Sequence, residues 1–246
     1  MSSKDIVVQA TRDLFVHKLP DAVDRWTSTD YRQHNPWVAD GPDGLRQFLA
    51  TQPDGFGYQL ARVIADGDMV ALHGVYRDTR FGSLVAFDVF RLEEGKLAEH
   101  WDALQPVVDW TVGGRTQVDG RIRVTAPERT EATRKIVIGF VETVLMGRQV
   151  ERLPEFVSSE RYAEHNPFRD DGIDGLRAAI EDGGMVQDPH FALAEGEFAL
   201  TMGEYVKDGE RILAYDLFRV EGDKIVEHWD VVGKVPPTSA HGNGLF

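Results

Sequence analysis

The sequence predicts an α+β fold made twice over: two modules, in each of which an antiparallel sheet curls around a few helices. Three observations carry this. The chain repeats itself, since residues 31–46 read YRQHNPWVADGPDGLR and residues 162–177 read YAEHNPFRDDGIDGLR, with ten identities in sixteen positions. Residues 87–102, FDVFRLEEGKLAEHWD, return at 215–230 as YDLFRVEGDKIVEHWD, with nine. The repeating unit runs to about 120 residues, far beyond a solenoid repeat, so each copy is expected to bury its own core. Within each copy, helical periodicity comes first and strand-like alternation follows, the order of an α+β fold.

Taken in order, residues 4–17 carry Ile6, Val7, Ala10, Leu14 and Phe15 at helical spacing, and residues 131–146 carry Ile136, Val137, Phe140, Val144 and Leu145. A short second helix is expected over 20–27, with 154–158 as its counterpart. A third follows the Asp-Gly-x-Asp-Gly turn, with Asp43 or Asp174 as its cap. Strands are expected over 58–65, 69–77, 83–92 and 96–104, with turn residues between them. Residues 105–128, which hold Gly113-Gly114, Asp119-Gly120 and Pro127, read as a crossover linker. The modules are therefore expected at 1–125, including the linker, and 126–246.

Composition narrows the function. The 246 residues are 28% charged and 42% hydrophobic, contain no cysteine, and carry a net charge of -14. Disulfides, thiol-ligated metals and thiol catalysis are excluded. The acidic balance repels phosphate backbones and anionic membrane surfaces, so no nucleic acid and no membrane partner is expected. Charges at Lys4, Asp5, Arg12 and Asp13 leave no apolar export segment. No stretch approaches the roughly 18 apolar residues of a membrane span, and a cytoplasmic location is expected.

The chemistry concentrates in the two repeated blocks. On the strand over 83–92, Asp88 shares a face with Ala86 and Phe90; on the strand over 96–104, Asp102 shares a face with His100, opposite Glu99 and Trp101. A three-residue connection between them sets Asp88 across from Asp102, whereas a two-residue register sets it across from Trp101; the first is favoured. Two carboxylates in apolar surroundings push their pKa values apart, so one can act as base while the other holds a proton. His100 beside them can take either role. The second copy repeats the set as Asp216, His228 and Asp230. The structural alternative pairs Asp88 with Arg91 or Lys96 on an exposed face and leaves Asp102 to cap its strand. Trp101 and Trp229, on the opposite face, read as packing.

The other block carries His34-Asn35-Pro36 and His165-Asn166-Pro167. Proline holds the preceding Asn extended or in a turn, which sets each His at a chain reversal where its ring can aim inward. The alternative is a His that holds the turn through a backbone carbonyl. A metal on His34, Asp88, His100 and Asp102 is conceivable from residue types, but no metal-ligand spacing supports it; neither metal nor cofactor is expected. Between the copies Gln33 aligns with Glu164, Trp37 with Phe168 and Val38 with Arg169. The two pockets can therefore prefer different ligands, or one can be silent.

These blocks resemble the SnoaL-like polyketide cyclase family, a branch of the nuclear transport factor 2-like fold that also includes ketosteroid isomerase. The resemblance rests on Tyr31-x-x-His34-Asn35-Pro36, Asp40-Gly41, Asp88-x-Phe90-Arg91 and Glu99-His100-Trp101-Asp102, all repeated in the second half, and on the ending HGNGLF at 241–246. It implies cone-shaped α+β barrels with about three helices each around an apolar pocket, packed as an intramolecular pseudo-dimer. The chain would then be a monomer or a higher homo-oligomer. It implies a cofactor-free acid/base enzyme acting on a small carbonyl-containing or polyketide-like substrate, by aldol cyclisation, isomerisation or dehydration through an enolate. Asp102 and Asp230 would be the bases, assisted by Asp88, Asp216, His34 and His165. Tyr31, Tyr162, Asn35, Asn166, His100, His228, Trp37 and Phe168 would hold the substrate. Asp88 and Asp216 stand where some cyclases carry His. Other classes fit the same fold: a non-catalytic binding or assembly module, or a hydrolase whose acids activate water.

Overall fold

Helix α1 (Ser3–Thr11) starts at a reciprocal cap. Ser2 Oγ accepts from the Asp5 N–H at 3.2 Å, and Asp5 Oδ2 accepts from the Ser2 N–H at 2.9 Å. The helix buries Val7 and Ala10 and continues through a wider π turn over Arg12–Val16. Asp13, in that turn, is buried. Its carboxylate accepts from Trp26 Nε1 at 2.8 Å, Gln9 Nε2 at 2.9 Å and Arg25 Nη1 at 3.2 Å, which ties α1 to α2 (Ala22–Trp26).

Burial alone would raise the Asp13 carboxyl, but the Trp26 and Gln9 hydrogen bonds outweigh it and hold the group below its ordinary value. Asp13→Ala is therefore expected to cost about 2 to 3 kcal/mol at pH 7, mostly from the orphaned Trp26 and Gln9 donors. A carboxyl lowered on folding stabilises above its unfolded pKa and stops doing so as pH falls through its folded one. The loss, measured by urea unfolding, should shrink in acid; an equal loss at pH 7 and at pH 2 would contradict this.

The computed structural model describes residues 1–184 and 188–246. They fall into two units, Met1–Val107 with Pro236–Phe246, and Val108–Val235. After α2 the first unit runs β1 (Thr27–Gln33), α3 (Gly41–Ala50), β2 (Gly57–Asp66), β3 (Met69–Thr79), β4 (Gly82–Glu93) and β5 (Lys96–Pro106). The sheet order is β1-β5-β4-β3-β2. The second unit repeats this with α4 (Thr130–Phe140), α5 (Leu153–Phe156), β6 (Ala163–Glu164), α6 (Gly172–Glu181), β7 (Asp188–Glu195), β8 (Phe198–Lys207), β9 (Glu210–Glu221) and β10 (Lys224–Lys234), in the order β6-β10-β9-β8-β7. Both units are α+β.

The purely antiparallel sheet expected from the sequence is corrected at one edge. Strands β1 and β6 lie parallel to β5 and β10. They enter the sheet from the helices rather than through a hairpin, so no tight turn dictates their direction. In the first unit the helices pack Val7, Leu14, Phe15 and Leu45 on the sheet face that carries Leu72, Ala86 and Phe90. No helix among the described residues is long and apolar enough to cross a membrane.

The helix after the Asp-Gly-x-Asp-Gly turn begins one Asp earlier than expected. The N-cap positions are Asp40 and Asp171, not Asp43 and Asp174. Their side chains reach back to the preceding strand, where Asp40 Oδ1 accepts from the Gln33 N–H at 2.9 Å and Asp171 Oδ1 from the Glu164 N–H at 2.8 Å. The second glycine of the motif is required by a close approach, because a Cβ on Gly44 would fall 1.8 Å from the Ala39 carbonyl oxygen and one on Gly175 2.2 Å from that of Asp170.

The register of the hairpin that positions the acids is the expected one, reached by another route. Asp88 pairs with Asp102 and Asp216 with Asp230. The first connection is only Glu94-Gly95, both at positive φ, with Glu93 paired to Lys96. A bulge at Ala98, between the Leu92–Leu97 and Arg91–Glu99 pairs, then adds the residue that restores the faces.

Each unit is completed by an irregular segment against its His-Asn-Pro turn. In the first, the Ala240 N–H donates to the Pro36 carbonyl at 2.8 Å and Asn243 Nδ2 to the Gln33 carbonyl at 2.9 Å. In the second, the residues read as a crossover linker do this, with the Val112 N–H on the Pro167 carbonyl at 2.9 Å and Trp229 Nε1 donating to the Asp119 carbonyl at 2.9 Å.

Candidate active site

In the first unit Asp88 on β4 is buried and Asp102 on β5 is only partly so. Asp102 borders a cavity of about 580 Å³ whose walls are mostly apolar, including Phe15, Leu45, Phe48, Phe56 and Phe90. Its polar lining includes Asp102, His100, Asn35, Gln33, Tyr31 and Tyr76, with Trp37, Arg80 and Phe81 at exposed positions. Such a site, apolar with a few convergent polar groups, suits a small ligand.

Asp88 Oδ1 accepts from the Tyr76 hydroxyl at 2.9 Å and lies 3.3 Å from His100 Nε2. Burial, with the Asp88 charge behind it, holds the Tyr76 and Tyr58 phenols well above their usual range, so both remain donors. Gln33 Oε1 accepts from the backbone N–H of His34 at 2.9 Å and of Asn35 at 2.8 Å, and lies 3.0 Å from His100 Nδ1. An oxygen there requires His100 Nδ1 to carry hydrogen.

Asn35 is pinned from both ends. Its Oδ1 accepts from the Trp37 N–H and its Nδ2 donates to Asp102 Oδ2, both at 2.8 Å. Burial pushes the Asp102 carboxyl up to about 6, against the pull of His100; the Asp88 charge adds to the rise and the Asn35 hydrogen bond opposes it. Asp102 is thus ionised at neutral pH and a stronger base than a surface acid.

The family model of the SnoaL-like domain matches residues 8–100. The first unit is a SnoaL-like domain. Solved structures similar to the chain include TsrD from Streptomyces laurentii, 22% identical over 42% of this chain and 88% of that one, with a TM-score of 0.37. A SnoaL-like polyketide cyclase from Agrobacterium tumefaciens is 16% identical over 43% of this chain and 92% of its own, with a TM-score of 0.36. A nuclear transport factor 2-like protein of unknown function from Cytophaga hutchinsonii is 16% identical over 43% and 92%, with a TM-score of 0.38. No curated protein matches the chain.

The expected place of His34 in the SnoaL-like domain is corrected. Its ring stacks on Trp101 at 4.8 Å, on the face opposite the acids, with Nε2 2.9 Å from Glu99 and Nδ1 3.1 Å from the Gly244 carbonyl. His165 repeats this, stacked on Trp229 at 4.7 Å, 3.0 Å from Glu227 and 2.9 Å from the Thr116 carbonyl. Successive residues of an extended segment alternate faces, so turning Asn35 and Asn166 toward the acids turns each His away. Both histidines hold the turn. Of the remaining expected residues, Tyr31 and Trp37 border the cavity. Phe168 is exposed and meets Trp110 edge-on at 6.3 Å, while the Tyr162 hydroxyl donates to Glu164 at 3.0 Å.

The second unit keeps the acids but surrounds them differently. Asp216, His228 and Asp230 are all buried. Where the SnoaL-like domain has Gln33, Glu164 Oε1 lies 2.9 Å from His228 Nδ1, and Asp216 Oδ1 lies 3.0 Å from Nε2. Burial would raise Glu164 and lower His228, but their mutual attraction reverses both, so Glu164 is held low and His228 is raised to about 10. Where the SnoaL-like domain has Val38, Arg169 Nη1 lies 3.0 Å from Asp230 Oδ2.

Among the described residues, the groups that could hold a metal ion are Asp88, His100 and Asp102 in one unit and Asp216, His228 and Asp230 in the other, with ligand atoms within 4.8 Å of one another in each set. His34 is not among them. Tyr76 escaped the sequence reading, and Gln33 was marked there only as a position that differs between the copies. Gln33 precedes the repeated His-Asn-Pro and differs between copies, the one signal that marked it.

Proposed function

We propose that the SnoaL-like domain is a cofactor-free acid/base catalyst in which Asp102 removes a proton from the carbon beside a carbonyl of a small, largely apolar substrate of polyketide-like type. One observation carries the reading: a carboxylate raised to about 6 faces an apolar cavity of about 580 Å³, with Asn35 fixing one of its oxygens. The Asn35 bond orients the carboxylate, and His100, which lines the same cavity, supplies a donor for the enolate oxygen. Preorganised donors of this kind contribute several kcal/mol. Aldol closure, isomerisation and dehydration all begin with this step.

Exchange of ketone α-protons in D2O, followed by NMR, tests it. Because Asp102 must be ionised to act, the rate is expected to rise with pH, reach half its maximum near 6 and level off above about 7. A rate unchanged from pH 4 to 8 would remove Asp102 as the base. Incorporation of labelled water oxygen into product would assign a hydrolase instead, and saturable binding without exchange a binding module.

A further inference from the structure

We infer that only the SnoaL-like domain removes a proton and that Arg169 is the residue that retires the second site; the inference rests on the role proposed for Asp102. Val38 is a buried apolar residue in the cavity wall of the first unit. At the matching position Arg169 places its guanidinium on the counterpart of the base, Nη1 3.0 Å from Asp230 Oδ2, while Nη2 donates to the Gly184 carbonyl at 2.6 Å. Asn166 Nδ2 lies 2.9 Å from both Asp230 oxygens.

A general base needs a lone pair facing the substrate carbon. Asp102 has one on its open side. Asp230, whose side chain is 0% exposed, has its oxygens taken up by Arg169 and Asn166. To accept a proton it would have to surrender a buried ion pair. The donor side is changed too, because Glu164 in place of Gln33 clamps His228 between two carboxylates at 2.9 and 3.0 Å.

The two replacements are complementary. Gln33 to Glu164 adds a buried negative charge and Val38 to Arg169 adds a positive one, so together they leave the interior balanced. This accounts for the persistence of Asp216, His228 and Asp230 in a site that does no chemistry: His228 anchors Glu164, Asp230 anchors Arg169, and Asp216 holds the other nitrogen of His228.

The test uses the full chain with Asp102→Asn and Asp230→Asn made separately, both nearly isosteric. With cyclohexanone in D2O, Asp102→Asn is expected to lower α-proton exchange at least about 100-fold, and Asp230→Asn to leave it within twofold of the unsubstituted chain. Substantial exchange surviving in Asp102→Asn, or a rate halved or worse in Asp230→Asn, would overturn the inference. If the unsubstituted chain exchanges no ketone proton, the proposed reaction fails on its own. The asymmetry is then read from calorimetric titration with 2-naphthol. One molecule bound per chain, unchanged in Asp230→Asn, supports it; two bound, none bound, or binding lost in Asp230→Asn overturns it.

Discussion

Asp102→Asn is expected to remove activity and add stability. Loss of a general base lowers a rate by about 10²- to 10⁴-fold, and the amide retains the shape and an oxygen able to accept from Asn35 Nδ2. The stability effect follows from the same burial. A carboxyl raised from 3.8 to about 6 binds its proton more tightly in the folded protein. Stability is therefore fullest below the unfolded pKa and declines as pH rises through the folded one. Keeping Asp102 ionised above pH 7 costs up to about 3 kcal/mol by that shift. The asparagine variant should unfold at higher denaturant than the natural chain at pH 8 and lose this advantage at pH 4. A variant as active as the natural chain, or one less stable at both pH values, would contradict the role assigned to Asp102.

The largest stability loss is expected in the other unit. Arg169→Met leaves Asp230 without its guanidinium in the interior, and breaking one partner from a buried pair typically costs about 3 to 5 kcal/mol. Burial already pushes the Asp230 carboxyl up while Arg169 and His228 pull it down. Without Arg169 it should rise further, so the loss should be greatest at high pH and smallest where Asp230 is protonated. Arg169→Met with Asp230→Asn should recover most of it, since the pair is then replaced rather than broken. Urea unfolding of the single and double variants at pH 5 and pH 8 measures both effects. A loss below about 1 kcal/mol for Arg169→Met would mean that the pair carries little of the stability assigned to it.

Most of the sheet was legible because β2, β3, β4 and β5 are runs rich in apolar, β-branched and aromatic residues between turn signals. Strand β1 was not: TSTDYRQ buries only Thr27, Tyr31 and Gln33, so its hydrophobic pattern does not mark a strand. It forms because β5 offers an open edge. The pairing of Asp88 with Asp102 was legible from side-chain alternation, but the bulge at Ala98 that secures it has no sequence signature. The turn at His34 was recognised and its direction was not. Which of two neighbouring side chains faces the cavity depends on where the segment meets the sheet, and that edge pairing was invisible.

The sequence by itself determined the repeat, the α+β class and the co-facial acids, because these follow from local periodicity and from one stretch of chain copied in another. Only the tertiary structure decided what those acids can do. Asp102 and Asp230 sit at matched positions in repeated blocks, yet one opens on a cavity and the other is closed by Arg169. The physical reason is that basicity depends on solvation and on neighbouring charge, which residues distant in sequence supply.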